Sequence, residues 1–322
     1  MQCYDRRRII VLGAAGFIGR WVTRRLSEAG ASLTIPLRNP DAAGDLAPSA
    51  RIVRLDLRDF DALGGLLQSV RPAIVFNLAG YGVRPEEKNE GLAQTINAEL
   101  PSFLCGIDAS LFDSDWPGRR IVHAGSSAEY GGSPGPITEE TPPRPDTWYG
   151  RAKIAGAEAV VRTDGAINVR LFNVYGPGEH SSRLTPYLLA ASRGDDPLLF
   201  TSGDQKRDFT YVEDVAEGLL RIGLTPDSTG RLVNLASGAV VSVREFVETA
   251  ARILGIPADR LRFGAREGGR HELTYDSVHI DRLRQITGWS PPTDIADGLR
   301  RTYQTFQAAC RPLKLMRPLN PG

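Results

Sequence analysis

The sequence predicts an α/β fold with a doubly wound parallel sheet, and three observations support this. Short apolar runs typical of strands alternate with helical patterns through the first half of the 322-residue chain. A glycine-rich turn at 13–19 follows the first run directly and leads into the first helix. The alternating units have the length that builds a parallel sheet with helices on both faces. Ligands of such sheets bind beyond the carboxyl ends of the strands.

The individual elements follow in order from the same pattern. Apolar and β-branched runs predict strands at 8–12, 32–37, 52–55, 73–78, 120–123 and 168–172. Apolar residues at helical spacing predict helices at 17–29, 59–70, 92–111 and 149–161. Gly30 ends the first of these helices.

Composition and charge exclude several classes of protein. Apolar residues make up 41% of the chain and charged residues 24%, the balance of a globular protein. The formal net charge of +1 argues against a nucleic-acid partner, which would need a basic excess. The three cysteines show no metal-ligand spacing and suit a reducing compartment. Because membrane-spanning runs and a signal-peptide pattern are absent from the sequence, we expect a cytoplasmic protein without membrane contact or bound metal.

The glycine turn and a downstream tyrosine–lysine pair together indicate hydride chemistry. Gly13, Gly16 and Gly19 form a turn that presents backbone N–H groups to a pyrophosphate at a helix N-terminus. Tyr149 and Lys153 stand one helical turn apart on the same face. Either motif alone is weak, because glycines also end helices and such pairs are common surface contacts. In this order they predict a dinucleotide site followed by a proton-transfer pair.

These motifs and the less regular second half of the chain predict two parts. We expect a Rossmann-type NAD(P)-binding domain over residues 1–172, to which 209–235 return. Loops rich in proline and glycine interrupt shorter elements after residue 172, and such loops commonly hold substrate groups. We therefore expect a smaller C-terminal substrate-binding lobe over 173–208 and 236–322.

Seven landmarks occur in the order typical of one protein family. They are Gly-x-x-Gly-x-x-Gly at 13–19, Asp-Leu at 56–57, Asn-Leu-Ala-Gly at 77–80, Gly-Ser-Ser-Ala-Glu-Tyr-Gly at 125–131, Tyr-x-x-x-Lys at 149–153, and the motifs at 170–178 and 207–214. The chain resembles the extended short-chain dehydrogenase/reductase family, which comprises nucleotide-sugar epimerases, dehydratases and reductases. The resemblance runs from Gly13 to about Tyr303. It implies a nucleotide-sugar substrate and a homodimer that pairs the 92–111 helix and the helix after Tyr149.

The resemblance assigns catalytic roles to three residues. Tyr149 would exchange a proton with a sugar hydroxyl or carbonyl oxygen, and Lys153 would hold the nicotinamide ribose. A free phenol titrates at roughly pH 10, so the charges of Lys153 and the nicotinamide would favour phenolate. Ser126 would donate to the same substrate oxygen. Ser127 is placed at the substrate beside it, and is the alternative donor if the loop register differs.

The resemblance also implies binding residues. Asp56 and Leu57 would contact the adenine, and Asn97 would order the site. The turn and the segment after the fourth strand would hold the ribose and pyrophosphate through Gly13, Gly16, Phe17, Ile18, Gly19, Leu78, Ala79 and Gly80. Asn173 would meet the sugar or diphosphate. Arg207 and Arg270 would clamp the diphosphate, because a guanidinium fork fits phosphate geometry. For Arg270, an ordinary surface position is an equal alternative.

The end of the second strand favours NADP(H) as the cofactor. Family members that prefer NAD place an acidic residue there for the ribose 2′-hydroxyl, but this chain has Leu37 followed by Arg38. Leucine cannot accept those hydrogen bonds, whereas Arg38 and Arg20 could pair with a 2′-phosphate. The alternative is that both arginines face solvent, and NAD(H) stays possible.

The loop after Ser126 argues against dehydration. Family dehydratases carry an Asp-Glu pair directly after the catalytic Ser/Thr, where this chain has Ser127 and Ala128. Glu129 is displaced by one residue and is expected to point elsewhere unless the loop shifts. Our leading hypothesis is an NADPH-dependent reductase of a nucleotide-linked 4-keto-6-deoxy sugar, since the loop resembles that of GDP-4-keto-6-deoxymannose reductases. The alternatives are a 4-epimerase with retained NAD(P) and, third, a cofactor-binding scaffold without turnover.

Overall fold

Strands and helices alternate along most of the chain. The computed structural model describes residues 2–44, 46–132, 135–268 and 273–309. Its strands are β1 (Arg8–Leu12), β2 (Ser32–Leu37), β3 (Arg51–Arg54), β4 (Ile74–Asn77), β5 (Ile121–Ser126), β6 (Pro136–Ile137), β7 (Ala166–Leu171), β8 (Asn173–Tyr175), β9 (Leu198–Leu199), β10 (Lys206–Tyr211), β11 (Leu232–Leu235), β12 (Val240–Ser242), β13 (Leu261–Arg262) and β14 (Ser277–Val278). Its α-helices are α1 (Phe17–Glu28), α2 (Phe60–Val70), α3 (Glu90–Gln94), α4 (Leu100–Cys105), α5 (Trp148–Val161), α6 (Leu184–Ala191), α7 (Val212–Gly223), α8 (Val243–Leu254), α9 (Asp281–Thr287) and α10 (Ile295–Ala309).

Seven of the described strands form one parallel sheet in the order β11-β7-β5-β4-β1-β2-β3. The chain runs outward from β1 to β3 on one side and from β4 to β11 on the other. Ile9 of β1 lies opposite Ile74 of β4, which sets the register at the centre. The doubly wound Rossmann-type fold predicted from the sequence is confirmed. Its strand order reverses between β1 and β4, the place where such sheets bind ligands.

Helices cover both faces of this sheet with apolar side chains. Successive residues of β1 point to opposite faces, so Ile9 and Val11 pack in one core while Ile10 and Leu12 pack in the other. The first core receives residues of α1 and α7, and the second receives residues of α2, α4 and α5. Burial on both faces explains why the strands read as continuous apolar runs.

A smaller assembly follows β7. Strands β8, β10 and β12 form a three-stranded sheet, and side chains of α6, α8 and α10 pack with it in a third core. Phe209 of β10 stacks on Phe246 of α8 with ring centroids 4.0 Å apart. Strand β11 joins the large sheet beside β7. The division into a dinucleotide domain and a substrate lobe stays a prediction.

The predicted 92–111 helix is wrong in its extent. The chain instead forms α3, a π-helical turn at Thr95–Glu99, α4, and a separate 3-10 turn at Ala109–Leu111. Pro101 has no N–H for the carbonyl of Asn97, which removes one helical hydrogen bond. Gly156 of α5 also packs there, since a Cβ on it would lie 2.1 Å from the Asn97 oxygen. The other predicted boundaries differ from the structure by at most three residues.

Candidate active site

The glycine turn packs tightly against the segment that follows β4. Gly13 has φ +76°, and a Cβ on it would lie 2.7 Å from backbone atoms of Leu78 and Ala79. A Cβ on Gly19 would lie 2.1 Å from the Gly13 carbonyl oxygen. Both positions therefore require glycine, for backbone conformation or for space. The structure brings the two predicted cofactor segments into direct contact.

The N-terminus of α1 opens at this turn and fits a pyrophosphate. Gly16 is the N-cap residue, and no side chain caps the helix there. The N–H groups of the first turn, which begins with Phe17 and Ile18, have no partner within the helix. Together with the helix dipole they favour an anion. A dinucleotide bound there would supply a nicotinamide that accepts or gives a hydride.

The residues predicted to contact the adenosine part of the cofactor differ in their exposure and in their hydrogen-bond partners. Arg20 donates through Nε to the Ala15 carbonyl at 3.1 Å and through Nη2 to the Ala42 carbonyl at 3.0 Å. Arg38 is exposed, whereas Leu37 is buried. Asp56 accepts two Nε contacts and one Nη2 contact from Arg58 at 2.6 to 3.1 Å. This interaction lowers the pKa of Asp56 to about 2. Leu57 is half-buried beside it.

Asn97 holds the loop after β4 from the π-helical turn. Its Oδ1 accepts from the N–H of Tyr81 at 3.1 Å, and its Nδ2 donates to the Tyr81 carbonyl at 2.7 Å. Gly80, which precedes Tyr81, is exposed. Gly82 follows Tyr81, and a Cβ on Gly82 would lie 3.2 Å from the Tyr149 ring. Asn97 therefore fixes a loop that lies against Tyr149.

Ser126 and Tyr149 come together at the carboxyl end of β5. The Thr147 hydroxyl accepts from the Gly150 N–H at 3.0 Å and caps α5, so Tyr149 lies in the first turn. The Ser126 hydroxyl is within hydrogen-bonding reach of the Tyr149 phenol. Burial raises the pKa of Tyr149 to about 12, while the contact with Ser126 and the charge of Arg183 lower it. At neutral pH the phenol is protonated and can donate to a carbonyl oxygen.

Lys153 lies one turn further along α5 and is buried. Its Nζ donates to the carbonyl of Ala124 in β5 at 2.6 Å. Burial lowers the pKa of Lys153 to about 8, and the charge of Glu129 opposes this shift. His123 lies nearby, fully buried, with Nδ1 3.1 Å from Asn77 Nδ2. Burial and the charge of Lys153 hold the pKa of His123 well below its usual range. His123 is therefore neutral, and Lys153 is the cation of this pair.

Glu129 points inward and ties Ser126 to a buried polar network. Its Oε1 accepts from the Ser126 N–H at 2.8 Å, while its Oε2 accepts from Asn168 Nδ2 at 3.1 Å and from Arg170 Nε at 2.7 Å. The Arg170 guanidinium lies over the ring of Tyr130, 4.2 Å from its centroid. Both oxygens of Glu129 are thus committed to the protein, and the carboxylate is not directed at a substrate.

The predicted substrate residues are distributed over three places. Asn173, at the start of β8, lines a cleft beside Arg183. Arg207 lies half-buried on β10, where it pairs with Val241 of β12. Ser127 is buried, and its carbonyl accepts from the Tyr275 hydroxyl at 3.4 Å. Arg270 lies outside the described residues.

The sequence model of the NAD-dependent epimerase/dehydratase family matches residues 9–236. The chain belongs to this family. The matched region contains the glycine turn, Ser126, Tyr149 and Lys153. The protein is therefore an NAD-dependent enzyme of the nucleotide-sugar epimerase/dehydratase type, and the resemblance inferred from the sequence is confirmed.

Two relatives of this family match almost the whole chain. The UDP-glucose 4-epimerase of Mycolicibacterium smegmatis is 26% identical, covering 93% of this chain and 98% of its own. The dTDP-6-deoxy-L-talose 4-dehydrogenase (NAD(P)(+)) of Kitasatospora kifunensis is 28% identical, and the match covers 94% of this chain and 96% of that protein. The structure of MoeE5 in complex with UDP-glucose and NAD is 27% identical with a TM-score of 0.79. The match covers 94% of this chain and 99% of MoeE5.

Sequence reasoning missed two residues of the site in this family member. Glu179 and Arg183 lie in the segment between β8 and α6, where they form an ion pair with 3.7 Å between Oε1 and Nε. Their only sequence signal is that Glu179 directly follows the Gly-Pro-Gly at 176–178, which does not indicate burial. In the part of the chain that the structure describes, no three His, Cys, Asp or Glu side chains are grouped as metal ligands. None of the described helices is both long and apolar enough to cross a membrane.

Proposed function

We propose that the protein is a UDP-hexose 4-epimerase that keeps its nicotinamide dinucleotide bound through the catalytic cycle. The observation that carries this proposal is the arrangement around Ser126. Tyr149 meets Ser126 at the carboxyl end of β5 and Lys153 lies one turn further along α5, while the two residues after Ser126 are a serine and an alanine. Glu129 is occupied by Ser126, Asn168 and Arg170. This arrangement provides for oxidation and reduction at one carbon and not for elimination.

The residues of the chain would perform the proton transfers at the sugar C4 oxygen. Tyr149 takes the proton of the 4-hydroxyl in its phenolate form, which the charge of Lys153 favours against the effect of burial. The bound dinucleotide supplies the acceptor and donor of the C4 hydride. Ser126 holds the C4 oxygen during the keto stage by donating to it. Tyr149 then returns its proton to the oxygen after the 4-keto sugar has turned its other face, which inverts the centre.

The relatives support UDP-hexoses as substrates and C4 as the reacting carbon. One relative is named a UDP-glucose 4-epimerase, and MoeE5 was solved with NAD and either UDP-glucose or UDP-glucuronic acid. A 4-keto-sugar reductase is the second candidate, because Leu37 and Arg38 stand where an NAD-preferring enzyme has an acid. The relative named a 4-dehydrogenase with NAD(P)(+) supports the same alternative. NADP preference, a homodimer and a cytoplasmic location stay predictions.

Identification of the dinucleotide by mass, after denaturing the purified protein, separates the two candidates. Tightly retained NAD supports the epimerase, whereas weakly held NADP(H) supports the reductase. Turnover is then followed by NMR of the anomeric proton with UDP-glucose as substrate. Tyr149→Phe is expected to lower kcat by about 10²- to 10⁴-fold. Tyr187→Phe is the matched control on α6, and it is expected to keep the wild-type rate.

A further inference from the structure

A cleft of about 220 Å³ lies between β8, the segment that follows it, and α6. The predicted sugar contact Asn173 lies on its wall with Glu179, Ser182 and Arg183. Among the described residues that line the cleft, Glu179 and Arg183 carry the charges. Arg183 also acts on the pKa of Tyr149. A charge in the wall of the cleft therefore reaches the phenol at which the sugar would react.

Glu179 is buried in this wall with an oxygen that lacks a partner. Its side chain is 6% exposed, and Oε2 has no hydrogen-bond partner among the described residues. Oε1 lies 3.7 Å from Arg183 Nε, which is longer than a hydrogen bond. Buried polar atoms in folded proteins are normally hydrogen-bonded, so an exception in the wall of a cleft can accept from water or from a bound ligand.

A ligand that binds this oxygen must be a hydrogen-bond donor without a negative charge. A carboxylate oxygen accepts hydrogen bonds, and the hydroxyl groups of a hexose donate them. A carboxylate on the ligand would meet the charge of Glu179 where both groups are poorly solvated, which is strongly unfavourable. Specificity is achieved in this way when a buried charge opposes the wrong ligand.

We propose that Glu179 is a specificity-determining residue that accepts a hydrogen bond from a hydroxyl of a neutral hexose and excludes hexuronates. This inference rests on the proposed function, because it takes a UDP-linked sugar as the ligand. Arg183 is the positioning residue for Glu179, since its guanidinium lies 3.7 Å from the carboxylate, four residues further along the same segment.

The protonation of Glu179 adds a pH signature to this selectivity. Burial raises the pKa of Glu179 to about 7, and the charge of Arg183 opposes the shift. The exclusion of a hexuronate therefore strengthens as pH rises through about 7, while the hexuronate itself stays ionised. The other titratable groups nearby are Tyr175 on β8, whose pKa burial raises, and the His180–Glu86 pair at 3.5 Å. Lining residues from α6, β10 and α8 are uncharged.

The test measures binding of UDP-glucose and UDP-glucuronic acid to the full-length holoprotein by calorimetry. The wild type is expected to prefer UDP-glucose. The ratio of the Kd for UDP-glucuronic acid to the Kd for UDP-glucose is expected to be about tenfold larger at about pH 8 than at about pH 6. Glu179→Gln is expected to lower the ratio at about pH 8 by about tenfold and to remove its pH dependence. Glu86→Gln removes the same charge from a half-exposed position outside the cleft lining, and it is expected to keep the wild-type ratio.

The remaining outcomes overturn one of the two proposals and can be told apart. If Glu179→Gln keeps the wild-type ratio, or weakens both ligands equally, Glu179 is structural and this inference fails while the proposed function stands. A wild type that prefers UDP-glucuronic acid contradicts the inference as well. If the wild type binds neither ligand, the proposed function fails and takes the inference with it.

Discussion

Two capping boxes of the same local design lie in different surroundings. At each, a serine hydroxyl accepts a backbone N–H of the following helical turn, and a glutamate three residues later accepts the serine N–H. Ser126 and Glu129 form one box at the end of β5, and Ser242 and Glu245 form the other at the start of α8. Glu129 is fully buried, whereas Glu245 is exposed.

The difference lies in what else each glutamate contacts. The second oxygen of Glu129 accepts from Asn168 and Arg170 of β7, so the box joins two strands of the large sheet below Tyr149. Glu245 instead makes its additional bond with the Ser242 hydroxyl, at 2.9 Å. The same motif therefore begins a helix in one place and, in the other, fixes the hydroxyl that we propose acts on the substrate.

The largest effect is expected on removing the buried glutamate. Glu129→Ala leaves the Arg170 guanidinium, 4% exposed, without its carboxylate. The free energy of unfolding should fall by about 3–5 kcal/mol. Urea unfolding at neutral pH measures it, with Glu129→Gln as the milder change should the alanine variant fail to fold.

Glu245→Ala is the matched control for this change. It removes the same side chain from the same motif at an exposed position, and it should cost about 1 kcal/mol or less. Equal losses for the two alanine variants would show that burial and the contact with Arg170 contribute nothing, which would remove the distinction between the boxes.

A second effect concerns the Ser126 hydroxyl, which the buried box fixes. Ser126→Ala should lower kcat by about 10²- to 10³-fold, because a donor to the C4 oxygen is lost. The contact with Ser126 also lowers the pKa of Tyr149, so the rise of kcat with pH should move to higher pH in this variant. Steady-state kinetics over a pH series measures both. A variant with reduced kcat but an unmoved profile would contradict the role of Ser126 at the phenol.

The sequence predicts the local parts of this site. The glycine turn is predictable because Gly13 and Gly19 meet constraints set by backbone a few residues away or by the next strand. Tyr149 and Lys153 are predictable because their spacing on one helix brings them to one face. Short motifs mark each of these features in the sequence.

The parts that the sequence does not show, and the one helix that it predicts wrongly, depend on contacts between distant segments. The partners of Glu129 lie on β7, about forty residues further along the chain, at separations of 39 and 41 residues. The burial of Glu179 depends on how its segment packs against β8 and α6, which no periodicity shows. The 92–111 helix was predicted as continuous because Pro101 and the approach of Gly156 are not part of its apolar pattern.

Glu179 extends the comparison to a buried glutamate whose pKa burial raises, although Arg183, Thr185 and the Gly176 N–H act against that shift. In the unfolded chain its pKa is roughly 4.3, but in the folded protein burial raises it to about 7. Between these values the folded state binds the proton more tightly, so its contribution to stability falls as pH rises from about 4.3 to 7. Glu179→Gln should therefore be more stable than the wild type by about 3–4 kcal/mol at about pH 8 and equal to it at about pH 4.

Urea unfolding at these two pH values measures that difference. Glu245→Gln serves as the control, because hydrogen bonds from Ser242 lower the pKa of the exposed Glu245 and its loss should not stabilise the protein at high pH. A Glu179 variant that is less stable than the wild type at about pH 8 would mean that the carboxylate is better partnered than the structure shows.

The smallest effect is expected at the exposed box. Ser242→Ala removes the hydroxyl that accepts the Glu245 N–H at 3.1 Å, and it should lower the free energy of unfolding by about 1 kcal/mol. Thermal unfolding should then show a Tm lower by about 2 °C, while kcat stays at the wild-type value. If Ser242→Ala instead lowers kcat as Ser126→Ala does, the loss of activity reports a weakened helix start in both boxes, and Ser126 needs no contact with the substrate to explain it.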